Sequence, residues 1–209
     1  IPHLKSSSQD VIATAQTGTG KTAAFGLPLL DLTDISNRKI QSLILCPTRE
    51  LCIQITSDLN KYARYIKDLN IVSVYGGARI EPQIKALKKG VHLVIGTPGR
   101  TKDLIKRKKL ILNNVNRVIL DEADEMLSMG FKEDLEFILG KTMRDKQTLL
   151  FSATMTKKIK EVTKKYMKDP LDISVAKTNI AAENVKHIFY LVQAKDRYEV
   201  VKRIADINQ

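Results

Sequence analysis

An α/β fold, with a parallel sheet covered by helices on both faces, is what this 209-residue sequence predicts. Three observations carry that expectation. Short apolar runs rich in Val, Ile and Leu recur along the chain and barely alternate with polar residues, as strands buried on both faces should. The stretches between them, such as LCIQITSDLNKYARYI and KKIKEVTKKYM, space their apolar residues at the helical period. One strand-to-helix junction, AQTGTGKT, crowds small hydrogen-bonding residues around a single lysine, Lys21.

Taken in order, strands are expected in DVIATA, SLILC, IVSVY, VHLVIG, NRVILD, TLLFSA and LDISV, a sheet of about seven strands. Strand and helix alternating in this way imply parallel neighbours with right-handed crossovers. Near Asp169-Pro170 the pattern changes. After LDISV, the stretch AKTNIAAEN is polar and without periodicity, and reads as a linker. VKHIFYLV then reads as a new strand and DRYEVVKRIADI as a new helix. The expected division is a first domain over 1–175, a linker over 176–184 and the start of a second domain over 185–209. A C-terminal extension of the first domain is the alternative.

Hydrophobic residues make up 43% of the chain, enough for a core. Lys and Arg total 35 against 23 Asp and Glu, a net charge of +12. Such an excess suggests a polyanionic partner, with nucleic acid leading, or else a generally basic protein. The cluster KRKK, Lys106 to Lys109, reads as a solvated helix end. No apolar run approaches a membrane span, so no membrane partner is expected, and no secretory leader opens the chain. The first residue is Ile1 rather than Met, from which preceding sequence is expected. Cys46 and Cys52 match no zinc or redox spacing and read as core in a reducing, cytoplasmic protein. His3, His92 and His187 are isolated and are given no chemistry.

Gly destabilises any regular element it interrupts, so AQTGTGKT needs a compensating interaction. The stretch nearly matches the phosphate-binding pattern G-x-x-x-x-G-K-[ST], with Ala15 in place of the first Gly. Gly18 and Gly20 would let backbone N–H groups wrap a phosphate, at the positive end of the following helix. Lys21 would reach the β- and γ-phosphates, and the Thr22 hydroxyl can ligate Mg²⁺. A Gly-rich turn that caps a helix is the alternative. In RVILDEADEML, an apolar strand ends at Asp121, on the sheet edge where ligands of such folds bind. Asp121 is placed to hold the same Mg²⁺, through water, and Glu122 to orient or deprotonate an attacking water. By themselves these carboxylates also suit an ordinary first helical turn.

AQTGTGKT, PTREL (Pro47 to Leu51), GG (Gly76, Gly77), TPGR (Thr97 to Arg100), DEAD (Asp121 to Asp124) and SAT (Ser152 to Thr154) stand in the order of the DEAD-box RNA helicases. The chain resembles the first, RecA-like domain of that family over roughly Ile1 to Val175, and DEMLSMGF is similar to the family's continuation. The resemblance resumes weakly in VKHIFYLVQAKDRYEVVKRI. It implies a three-layer P-loop NTPase fold in which TLLFSA lies between DVIATA and RVILD. It implies ATP and Mg²⁺, with Gln16, Thr17, Gly18, Thr19, Gly20, Lys21 and Thr22 around the triphosphate. Asp124 would hydrogen-bond Ser152 or Thr154, linking the nucleotide site to RNA. Pro47, Thr48, Arg49, Glu50, Gly76, Gly77, Thr97, Pro98, Gly99 and Arg100 would line an RNA groove that grips backbone without reading bases. Without the resemblance, PTREL and TPGR are turn signals with helix caps.

The implied function is ATP-dependent unwinding or remodelling of RNA duplexes, with a second RecA-like domain of the same parent chain supplying arginine fingers. A non-cycling nucleotide-binding scaffold is the alternative. A kinase or GTPase is disfavoured by PTREL, TPGR and the lack of an N-K-x-D sequence. The chain departs from the family in the missing upstream glutamine motif and in Thr101 and Lys102, which stand where apolar residues are usual. With no nucleotide bound, Lys21 is expected to pair with Asp121 or Glu122.

Overall fold

The computed structural model describes residues 1–15, 18–174 and 188–207. The chain divides into two compact units, Ile1–Ala176 and Lys177–Gln209. All strands of the first unit are parallel: β1 (Val11–Thr14), β2 (Ser42–Leu45), β3 (Ile71–Val74), β4 (Leu93–Gly96), β5 (Arg117–Leu120), β6 (Gln147–Ser152) and β7 (Leu171–Ser174). They form one seven-stranded sheet in the order β3-β4-β2-β5-β6-β1-β7. TLLFSA therefore lies between DVIATA and RVILD, with Thr14 opposite Ser152 and Leu120 opposite Leu150.

The helices are α1 (Pro2–Ser6), α2 (Lys21–Asp31), α3 (Arg49–Tyr62), α4 (Ile80–Leu87), α5 (Pro98–Lys106), α6 (Ala123–Ser128), α7 (Lys132–Leu139) and α8 (Lys157–Tyr166). Alternate residues along β1, β2, β4, β5 and β6 feed two separate cores. Ala13, Ile44, Ile95, Ile119 and Phe151 pack on one face with Phe25 and Leu29 of α2 and Ile55 and Leu59 of α3. Leu43, Val94, Val118 and Leu150 pack on the other with Leu104 of α5, Met126 of α6, Ile138 of α7 and Ile159 of α8. Every residue of β2, β4 and β6 is buried, which is why these runs show so little alternation. Thr48 and Thr156 cap α3 and α8 by accepting from the Leu51 and Ile159 N–H groups at 3.2 and 3.4 Å. Each such cap contributes about 1 kcal/mol.

Side chains tie down the amino edge of the sheet. Asp10, only 5% exposed, accepts the Thr148 N–H at 2.6 Å and the Lys168 N–H at 2.7 Å. Buried His92 accepts the Asn70 N–H on Nδ1 and lies 3.1 Å from the Ile35 carbonyl on Nε2, so it serves as a structural brace. Cys46 and Cys52 are free and fully buried.

The second unit contains a 3₁₀ turn (Ala194–Asp196) and α9 (Arg197–Ile207). The strand expected in VKHIFYLV is not found: Ile188–Val192 carry no strand, and residues 185–187 lie outside the described residues. A strand needs a hydrogen-bonded neighbour, and among the described residues this unit contains no other strand to pair with. The expected linker over 176–184 also lies outside the described residues.

Candidate functional site

Every motif singled out in the first unit follows the carboxyl end of a strand, so the parallel sheet delivers all of them to one edge. The strand order also sorts them. AQTGTGKT, DEAD and SAT follow β1, β5 and β6, which are adjacent. PTREL, GG and TPGR follow β2, β3 and β4, adjacent on the other half of the sheet.

On the first half, Gly18 and Gly20 hold φ of 78° and 82°, values that only glycine adopts without strain. A methyl at either would meet nothing within 4 Å, so their positive φ rather than crowding is what calls for glycine. The Ala15 N–H donates to the Ser152 carbonyl at 3.0 Å, joining the loop to β6. Gln16 and Thr17 lie outside the described residues. Lys21 and Thr22 open α2, and Thr19 stands exposed before them. The pairing expected of Lys21 with Asp121 or Glu122 is not found. Lys21 Nζ donates instead to the Ala15 carbonyl at 3.4 Å, within its own loop, where reaching the acceptor requires no movement across the sheet edge.

Asp121 sits 3% exposed just past β5, its N–H bonded to the Leu45 carbonyl at 2.9 Å. Burial pushes its carboxyl up to about 6; Lys21 opposes this, Glu122 adds to it, and the Glu122 N–H donated to Oδ1 at 3.1 Å opposes it. Glu122 itself occupies the left-handed region at φ 52°, ψ 51°. Such strain in a non-glycine residue costs on the order of 1–3 kcal/mol and concentrates at functional sites. Asp124 Oδ2 accepts both the backbone N–H and the hydroxyl of Thr154, each at 2.9 Å. Ser152 Oγ donates to the Thr154 carbonyl at 2.7 Å. The segments after β5 and β6 are thereby joined through Asp124 and Thr154.

On the second half, Pro47 and Pro98 are buried, while Arg49, Glu50 and Gly99 are exposed. Arg49 reaches across to the Gly77 carbonyl at 3.4 Å and lies 5.2 Å from the centre of the Tyr75 ring. Gly77 takes φ 71°, and Gly76 has open space where a side chain would be. Thr97 donates its N–H to the Val74 carbonyl at 3.0 Å, fixing the start of α5. Arg100 Nη2 donates to the Ala78 carbonyl at 3.0 Å, and its Nη1 is buried without a partner among the described residues. An unsatisfied cationic donor between two glycine-bearing turns suits an anionic acceptor. Tyr75 and Ala78 were not singled out in the sequence; their adjacency to Gly76-Gly77 was the available signal.

The family model for the DEAD/DEAH box helicases matches residues 1–162. The chain belongs to that family. Its curated relatives include the DEAD-box ATP-dependent RNA helicases CshA of Bacillus cereus, 47% identical over 208 residues, and of Streptococcus pneumoniae, 48% identical over 201 residues. Those alignments cover 100% and 96% of this chain but 39% and 38% of the relatives, so the chain spans well under half of their length. A crystal structure of a DEAD box protein from the hyperthermophile Methanococcus jannaschii superimposes with a TM-score of 0.78 at 45% identity, covering 96% of this chain and 53% of that one. A hypothetical ATP-dependent RNA helicase from Sulfolobus tokodaii gives 0.76 at 37% identity, covering 84% and 50%.

The departures at Thr101 and Lys102 are absorbed by polar partners. Fully buried Thr101 donates its hydroxyl to the Thr97 carbonyl at 2.9 Å. Lys102 pairs with Asp134 at 2.6 Å, both side chains about three-quarters buried at 24% and 22% exposure, and ties α5 to α7. No group of three or more His, Cys, Asp or Glu side chains that could hold a metal ion occurs among the described residues. Mg²⁺ is a hard ion that keeps several waters and shares substrate phosphates, so a site for it needs no such protein cage. No helix among the described residues is long and apolar enough to cross a membrane.

Proposed function

We propose that this chain is the ATP-binding core of an ATP-dependent RNA helicase, one that couples ATP binding and hydrolysis to unwinding or remodelling of RNA duplexes. The observation that carries the reading is the Asp124–Thr154 link, which joins the strand bearing the candidate catalytic carboxylates to the strand that also holds the phosphate loop. Loop N–H groups from Gln16 to Gly20, with Lys21, hold the β- and γ-phosphates. Thr22 and, through water, Asp121 would hold Mg²⁺, which would neutralise charge on those phosphates. With its carboxyl pushed up only to about 6, Asp121 is ionised at neutral pH, as that role requires. Glu122 orients the attacking water or accepts its proton.

Pro47 to Glu50, Gly76, Gly77 and Thr97 to Arg100 grip RNA phosphates, with Arg49 and Arg100 supplying charge. Such binding is indifferent to sequence and falls steeply with salt. A second RecA-like domain of the longer parent completes both the RNA clamp and the γ-phosphate site. Without it, the 209-residue chain binds ATP and RNA weakly and hydrolyses ATP little above background. Two buried, free cysteines suit a reducing cytoplasm.

The test is steady-state ATP hydrolysis and strand displacement, with single- and double-stranded RNA, for the full-length parent and this chain side by side. RNA-stimulated hydrolysis and displacement by the parent alone is the expected result. A parent that binds ATP but never turns it over would make the protein a scaffold. Unwinding by the 209-residue chain alone would refute the incomplete-core reading.

A further inference from the structure

The amino edge of the sheet, opposite the edge that carries the motifs, contains a cleft of about 920 Å³ that none of the chemistry above uses. Its walls are the loop before β1, the starts of β5 and β6, and the turn between α8 and β7. Hydrogen bonds fix those walls in place. Gln147 Nε2 donates to the Ser7 and Gln9 carbonyls at 3.0 and 2.9 Å, and Gln9 Nε2 donates to the Asp169 carbonyl at 2.8 Å. Asp10 adds its own two bonds to the Thr148 and Lys168 N–H groups.

Cations dominate the lining. Arg117, Arg144, Lys146 and Lys168 all border the cleft, and none forms an ion pair among the described residues. Lys5 and Lys165 at the margin are engaged elsewhere, by Asp31 at 2.7 Å and Glu136 at 2.6 Å. Of the bordering carboxylates, Asp10 is spent on backbone N–H groups, and Asp145 and Asp169 are exposed to water. Arg117 and Lys146 stand at the starts of neighbouring strands, half-buried, and burial works against the charge of each. Arg117 is kept partly out of water with no counter-charge, and Lys146 is offset only by Asp10, whose carboxylate is already bound to two backbone N–H groups, so the electrostatic arrangement is incomplete.

We propose that this cleft binds a compact anion carrying several phosphate groups. Its volume lies in the range of small-molecule sites. Arg and Lys donors lining one cleft suit phosphate oxygens, Arg as a fork and Lys as a point charge, and the neutral acceptors that Arg117 and Lys146 now hold, Asn116 Oδ1 and the Met143 carbonyl, can be exchanged for them. A strand of RNA fits less well. Tyr166, the aromatic residue of the lining, has Lys165 5.1 Å from its ring centre and donates its hydroxyl to the Glu136 carbonyl at 3.3 Å, which leaves a poor platform for stacked bases. Arg117 and Lys146 hold the inner phosphates, and the exposed Arg144 and Lys168 close on the outer ones. The inference does not rest on helicase activity, because the cleft lies at the other edge of the sheet.

Calorimetric titration of inorganic tripolyphosphate at low salt tests it, using the chain with Lys21→Ala so that the phosphate loop contributes nothing. Saturable binding is expected, and it should weaken about tenfold or more when Arg144→Glu and Lys168→Glu are added. Both positions are exposed, so folding should survive, and circular dichroism checks it. In the chain with Lys21 intact, the same two reversals should leave ATP binding unchanged. No binding of tripolyphosphate, or binding indifferent to the two reversals, overturns the proposal. Displacement of tripolyphosphate by a short single-stranded RNA that binds the cleft more tightly overturns the compact-ligand assignment.

Discussion

Replacing Gly20 by Ala adds a methyl group where nothing lies within 4 Å, so no crowding follows. The cost is conformational. Gly20 holds φ 82° and ψ 18°, and an L-residue in that region loses about 1–2 kcal/mol. For a domain of this size each kcal/mol lowers Tm by about 2–4 °C, so a fall of about 2–8 °C is expected. If the loop holds phosphate as proposed, the same methyl should hold its N–H groups away from the bound phosphate. Losing one or two charge-assisted hydrogen bonds should weaken ATP binding about ten- to a hundredfold or more. Gly96→Ala is the matched control, because there the limits are reversed. Its backbone has no positive φ, but the methyl would press into Thr101 Oγ1 and come within 2.9 Å of Val74 Cγ2. Thr101 is held by its bond to the Thr97 carbonyl, so α5 must shift on β4, at about 1–3 kcal/mol. β4 lies on the half of the sheet away from the phosphate loop, so ATP binding should be retained. Differential scanning calorimetry and titration with a non-hydrolysable ATP analogue measure both quantities. If Gly20→Ala binds the analogue as wild type does, or if Gly96→Ala loses binding at unchanged Tm, the assignment of the site is wrong.

Other expectations follow from single residues. Asp121 has its carboxyl pushed from 3.8 up to about 6, so the stability it contributes is present below pH 3.8 and lost as pH rises through about 6. Asp121→Asn should therefore stabilise the chelated, nucleotide-free chain by about 3 kcal/mol at pH 7.5, with the gain vanishing in acid and ATP hydrolysis by the parent lost; a gain that does not vary with pH would contradict this. Asp10→Ala strips the acceptor from two backbone N–H groups and should cost about 2–5 kcal/mol in urea unfolding, with faster hydrogen exchange at Thr148 and Lys168. A cost near zero would mean that water replaces the carboxylate. Thr154→Val removes the hydroxyl bond to Asp124 but keeps the backbone one, so stability should fall by only about 0.5–1.5 kcal/mol while RNA stimulation of hydrolysis in the parent drops more than basal hydrolysis does. Equal loss of both rates would remove the coupling role.

The central strands were legible in the sequence because burial on both faces demands apolar residues wherever such a strand falls, and that demand is local; edge strand β7, largely exposed, was read from its apolar run without that support. The phosphate loop was legible for a similar reason: positive φ at Gly18 and Gly20 can be read from residue type. The order of the strands has no local signature. The placement of β6 between β1 and β5 came from the resemblance to a known family, and the separation of the motifs into two halves of one edge emerged only with the sheet. Ile188–Val192 has the composition of a strand but no strand conformation, since composition describes one chain segment and a strand requires two. The Lys102–Asp134 pair, the left-handed backbone of Glu122 and the unpaired cations of the amino-edge cleft were likewise invisible. Each depends on which groups from distant parts of the chain meet and how much water they keep, and those quantities exist only in the folded molecule.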